Sequence, residues 1–161
     1  MIGKFQKIIL GADDVLASVL LAALTLLTVV NVFMRYIAQR PFEWAGEVTI
    51  LLFIWTIMFG AASVMKREGH IGIDVFITPL PKGVQRVMRI TADLIIAIIL
   101  IVLIYYGSQL TLISWNDVMP ITGLKLGYET IAVPIGSAWM LLHAVRNLWK
   151  EITLYLVSKS L

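Results

Sequence analysis

The chain has no cysteine and only two histidines in 161 residues. Without thiols there are no disulfides, thiolate metal sites or iron–sulfur clusters. Charge is scarce too. Asp, Glu, Lys and Arg make up 14% of the residues, against about a quarter in soluble domains. No Gly-rich phosphate loop of the Walker type occurs, which removes the usual apparatus of ATP hydrolysis. A haem-binding anchor needs paired histidines facing each other inside apolar segments. His70 falls between two such segments and His143 near the end of another. A zinc or other metal centre lacks a third and fourth ligand at workable spacing. No catalytic residue, cofactor site or metal site is assigned.

Apolar sequence is what remains. The chain is 60% hydrophobic with a mean hydropathy of +0.91. A water-soluble globule of that composition would expose large adhesive patches. The pattern predicts an all-α integral membrane protein, with 1–161 a single four-span membrane domain. The spans run over about 15–37, 44–65, 90–116 and 130–149. The first has too long an apolar core for a cleavable signal and reads as an uncleaved signal anchor. The fourth is the shortest and needs its flanks, or a snorkelling Arg146, to cross. "GLKLG" at 123–127 matches a helix-packing pattern by letters only, because it lies in a loop beside Pro120.

Even spans put both termini on one side. Ten of the 13 basic residues fall on the side of the termini and of the connection between spans two and three. Arg35, Arg40 and Lys125 fall on the other. That bias predicts cytoplasmic termini. It also makes the net charge of +3 a matter of topology and lipid headgroups rather than nucleic acid. Trp44 and Trp115 at outer ends and Trp149 at an inner end suit interface anchors. Trp55 and Trp139 lie mid-span, where indole N–H groups need partners. Ile2, Phe5, Ile9 and Ala12 share one helical face, so the first dozen residues form either an interfacial N-terminal helix or a cytoplasmic extension of span one.

Four polar residues lie inside or beside spans. Asn31, deep in span one, is expected to bond across to another helix. Glu47 is expected to form a structural pair with outer-side cations, and Asp93 to pair with Arg89 one turn earlier. The functional alternative, a proton or sodium path through an intramembrane carboxylate, would make the protein a small homo-oligomeric proton-coupled exporter with Glu47 as carrier. A membrane-anchor subunit of a respiratory enzyme is the other alternative. No span is broken mid-way by Gly and Pro, and no repeat relates the halves, unlike transporter cores. The chain reads as a subunit rather than a whole permease.

The run "NVFMRYIAQRPFEWAGEVTILLFIWTIMFGAASVMKREGHIGIDVF", followed by "PLP", resembles the small membrane subunit of tripartite ATP-independent periplasmic (TRAP) transporters, the DctQ family. The resemblance is carried by Asn31 and Arg35, then Trp44, Glu47, Trp55 and Gly60. After them come Lys66, Arg67, His70, Ile71, Asp74 and Pro81, with Pro134 and Gly136 in "VPIGSAWMLL". It implies a bacterial inner-membrane location and two partners. One is a large multi-span subunit carrying substrate and sodium sites. The other is a periplasmic substrate-binding protein that captures a carboxylate-bearing solute: an organic acid, sialic acid or sugar acid. The small subunit would brace the scaffold and help dock the binding protein. Arg35, Arg40, Glu43 and Lys125 are the candidate docking residues. In the interfacial segment between spans two and three, His70 and Asp74 stand at i and i+4 and form a candidate cytoplasmic latch.

Overall fold

The computed structural model describes residues 2–66, 79 and 81–159, with side chains over 13–66, 79, 81, 83–85, 87–149 and 153. The expected latch at His70 and Asp74 lies outside the described residues, as does most of the segment between spans two and three. Everything described is helix and connection. The only bridge among the described residues, Val118 to Lys125, is isolated.

Helix α1 spans Ile2–Tyr36, α2 Ala45–Lys66, α3 Lys82–Ser114, α4 Gly127–Thr130 and α5 Ala132–Lys159. Three helices are long and apolar enough to cross a membrane, over Asp13–Tyr36, Ala45–Lys66 and Gly83–Ser114. Helix α5 has 28 residues, with His143 and Arg146 along it.

Two helices begin earlier than the apolar runs do. Of the two readings of the first dozen residues, the extension of span one fits, because α1 runs unbroken for 35 residues, about 52 Å at 1.5 Å per residue. Helix α3 begins at Lys82, straight after Pro81. Pro81 accepts N–H bonds from Val84 and Gln85, so this proline starts the helix eight residues earlier than the apolar run does.

The long helices stand in a row. α1 packs on α2, α2 on α5, and α5 on α3. Among the described residues the α1 backbone approaches neither α3 nor α5, and α2 does not approach α3. α2 and α5 are therefore the two inner helices, and α5 carries more of the buried positions. Its buried positions, Ala132, Gly136, Ser137, Met140, His143 and Ala144, recur at helical spacing. Ala62, Leu100, Met140 and Ala144 form the core, with Met58, Met65, Ile96, Trp139 and Leu141 against it.

In a bilayer, burial of apolar surface does not drive helices together, since lipid tails are equally apolar. Close packing and polar bonds must do it. Both are present. A Cβ at Gly136 would stand 2.5 Å from Met58 Cβ, and one at Gly107 would stand 3.1 Å from Pro134 Cδ. These glycines let α2 and α3 approach α5 from either side.

Candidate functional site

The chemistry gathers at the two ends of the row. At one end α1 contributes two adjacent acids. Successive residues on a helix point about 100° apart, so neighbouring aspartates serve different partners. Asp13 is fully buried. Its Oδ1 accepts the Trp139 indole N–H at 2.7 Å, and its Oδ2 lies 2.9 Å from His143 Nε2. Asp14 faces α2. It accepts the Ser63 hydroxyl, and its Oδ2 takes Lys66 Nζ at 2.7 Å. One turn of α1 thus holds α5 through Asp13 and α2 through Asp14. The reach to α5 is made by side chains alone, since the two backbones do not meet. Asn147 adds a bond from α5 to the Met65 carbonyl at 3.0 Å, satisfying one of the orphan carbonyls at the end of α2.

At the opposite end, Glu47 in the first turn of α2 holds the connection between α3 and α4. Its carboxylate accepts the backbone N–H groups of Ile121 (3.0 Å) and Thr122 (2.8 Å) and the Thr122 hydroxyl (2.6 Å). That connection is a small hairpin. Met119 N–H bonds to Leu124 O, and Leu126 N–H to Asp117 O. Gly123 turns it with φ +69°, a conformation L side chains seldom adopt. "GLKLG" therefore spans a turn and the start of α4, not one helix face. Below it, Trp55 donates its indole N–H to the Tyr128 carbonyl at 3.0 Å, tying α2 to α4. Asn31 Oδ1 accepts the Phe42 N–H at 2.9 Å, fixing the turn from α1 to α2.

Several expectations change here. Glu47 binds loop amides rather than Arg35 or Arg40. Asn31 binds the connecting loop rather than another helix, because the chain folds back over it within 11 residues. Arg35, Arg40, Glu43 and Lys125 are all exposed at the Glu47 end. The Arg35 guanidinium sits 6.0 Å from the Tyr36 ring centroid, and Lys125 Nζ 5.6 Å from the Trp115 ring. Asp93 is buried at 4% exposure on the α3 face shared with Leu100; Arg89 is half-buried, and each is engaged by neighbours. Trp44 stacks on Phe42 at 5.5 Å, Trp115 meets Tyr128 edge-on at 6.1 Å, and Trp149 is exposed. Lys66, one of the residues carrying the resemblance, is paired with Asp14.

Asp13, Asp14, Ser63 and Thr122 are contributors that the sequence reading missed. The readable signal was "DD" at the edge of an apolar run, with Ser63 and Lys66 three apart on one face of α2.

Comparison with known proteins supplies a family. Residues 24–154 match the model for "Tripartite ATP-independent periplasmic transporters, DctQ component". The chain is 31% identical over 134 residues to the C4-dicarboxylate TRAP transporter small permease protein DctQ of Vibrio cholerae, covering 83% of this chain and 53% of that protein. It therefore spans about half the length of that relative. It is 26% identical to a TRAP transporter small permease protein of Haemophilus influenzae, covering 83% of this chain and 81% of that one. It is 21% identical to the sialic acid TRAP transporter small permease protein SiaQ of Vibrio cholerae, covering 94% and 87%.

Proposed function

The chain belongs to the DctQ component family of tripartite ATP-independent periplasmic transporters, and from that premise we propose that it is the small membrane subunit of a sodium-coupled importer of a carboxylate-bearing solute. It lies in the bacterial inner membrane with α1, α2, α3 and α5 as four spans and both termini cytoplasmic. The solute is a C4-dicarboxylate, a sialic acid or another organic or sugar acid, the classes printed in its relatives' names being the first two. Its partners are a large multi-span subunit, which carries substrate and sodium, and a periplasmic substrate-binding protein.

The observation that carries this reading is the cross-tying of the row at both ends. Asp13 and Asp14 bind α1 to α5 and α2, and Glu47 binds α2 to the α3–α4 hairpin. Helices fixed at both ends move as one body. A subunit of that kind suits a brace for a neighbour whose substrate-carrying part slides. On this orientation the Asp13 end is cytoplasmic and the Glu47 end periplasmic. Arg35, Arg40, Glu43 and Lys125 then face the binding protein. None makes an intramolecular ion pair among the described residues, which leaves their charges to a transient polar contact. Arg89 and Asp93 pair within α3, Trp44, Trp115 and Trp149 anchor the interfaces, and His70 with Asp74 pins the segment after α2.

The test is co-purification from native membranes followed by reconstitution. A tagged chain brings down a much larger multi-span protein, and solute uptake needs both chains, sodium and the binding protein. Proton-coupled flux from this chain alone would replace the proposal with the exporter reading. Charge reversal of Arg35, Arg40 and Lys125 together is expected to weaken docking of the binding protein without loss of the membrane complex. Unchanged docking would remove those residues from the surface.

A further inference from the structure

We propose that the outward face of α3 bearing Tyr105, Tyr106 and Gln109 is not lipid-facing and seats a transmembrane helix of the large membrane subunit. The proposal rests on the function proposed above and adds which face of this chain meets that partner.

Depth comes first. Between Asp93 and Trp115 the α3 sequence has no charged residue. The 21 positions 94–114 cover about 31 Å, the thickness of a hydrocarbon core. Tyr105 and Tyr106 fall at the middle of that stretch and Gln109 less than one turn beyond. Helical side chains lean toward their own N-terminus. The Gln109 amide therefore tilts back to the mid-plane, and the two phenols tilt away from the nearer end at Ser114. Snorkelling to headgroups from there is out of reach.

Exposure comes second. Tyr105 is 60% and Tyr106 66% exposed, and Gln109 is exposed too. Their rings touch each other edge-on at 5.2 Å. None of the three has a hydrogen-bond partner among the described residues. Several hydroxyls in the helices are satisfied locally. Ser18, Thr25 and Thr28 on α1 bond to the carbonyl four residues back, and so do Ser108 and Thr111 on α3 itself. A phenol or a primary amide cannot close on its own helix in that way.

Chemistry then selects the occupant. Lipid tails offer no donor or acceptor, and an unsatisfied polar group in hydrocarbon is costly. A protein helix bringing its own polar groups supplies what Tyr105, Tyr106 and Gln109 lack. The face is also continuous. At helical spacing it joins Ile98, Val102, Leu112 and Ile113, which are 54%, 46%, 71% and 74% exposed. It lies opposite the Leu100, Gly107 and Thr111 side that packs on α5. α1, at the far side of the row, has its Ser and Thr hydroxyls closed and suits lipid.

The test uses the complete transporter in native membranes. The triple change Tyr105→Phe, Tyr106→Phe, Gln109→Leu removes polar atoms and keeps bulk. It is expected to lower co-purified large subunit roughly tenfold, each interhelical bond in a bilayer being worth a factor of a few. Abundance and helicity of this chain are expected to be unchanged, because those atoms have no internal partner. A photo-reactive residue at Val102 or Ile113 is expected to crosslink to the large subunit, and one at Val19 or Leu26 on α1 to lipid. Unchanged co-purification, crosslinks from α3 to lipid or to a second copy of this chain, or crosslinks to the large subunit from α1 alone would each overturn the proposal. If no large subunit co-purifies with the unaltered chain, the function proposed above has failed as well. If it co-purifies but crosslinks from another face, only the present proposal fails.

Discussion

Asp13→Ala is the sharpest perturbation the structure offers. The carboxylate is fully buried and accepts from Trp139 while bonding His143. Removing it strands two groups on α5. Scales from soluble proteins put the loss of one partner of a buried charged pair at about 3–5 kcal/mol. Bilayer measurements are smaller, at about 0.6–1.7 kcal/mol per interhelical bond, because the separated helices also find partners in the membrane. Two bonds of that kind give roughly 1–3 kcal/mol. The higher scale does not apply directly, since its reference state is a hydrated chain. The expectation is therefore about 1–3 kcal/mol for Asp13→Ala. Asp13→Asn keeps an acceptor for Trp139 and a polar group opposite His143, and is expected to cost about half as much. Equilibrium unfolding in mixed micelles reads these values. A double-mutant cycle between Asp13→Asn and His143→Ala isolates the coupling. An Asp13→Ala cost below about 0.5 kcal/mol, the size of an ordinary surface change, would refute the reasoning. So would equal costs for Asn and Ala.

Gly136→Ala places a methyl 2.5 Å from Met58 Cβ. The obstacle is near the backbone rather than at a side-chain tip, so overpacking of about 1–3 kcal/mol is expected, read as a lower unfolding temperature in detergent. Ser137→Ala should be neutral or stabilising, because the Ser137 hydroxyl is buried without a partner among the described residues and an unmade bond only costs; a marked loss of stability would show a partner for it. Glu47→Gln keeps one acceptor for the hairpin and Glu47→Ala none, so amide exchange at Ile121 and Thr122 should quicken in that order. Equal exchange in both variants would mean that the hairpin holds itself.

The spans were legible because they depend on a property that sums along the chain. The apolar runs 15–37, 44–65 and 90–116 gave α1, α2 and α3 to within a turn except at the starts of α1 and α3. The misses lie where local chemistry decides. Pro81 opens α3 on two backbone bonds that hydropathy does not weigh. Asp13 and Asp14 look like flanking charges in one dimension. Their partners are 126 and 130 residues away on α5 and 49 and 52 away on α2. Trp139 was recognisable as an indole needing an acceptor, yet nothing in its neighbourhood names Asp13. The same limit applied to Glu47. The nearest cations in sequence were the obvious partners, and the amides of a hairpin more than 70 residues on took the carboxylate instead.

The placement of the two ties explains why a row can stand without becoming a bundle. A closed four-helix bundle hides its polar contacts inside and leaves little for a neighbour. Here α5 is held by α2 and α3 through glycine-allowed contacts. α1, with no backbone contact to α5, is secured by its packing and Asp14 bonds on α2 and by Asp13 reaching past the edge of α2. Cutting that reach should loosen α1 while α2, α5 and α3 stay together through Gly136 and Gly107. Limited proteolysis separates the cases. Faster cleavage confined to the N-terminal part of α1 in Asp13→Ala fits a tied edge helix. Cleavage spreading into α5 would mean that the clasp holds the whole row.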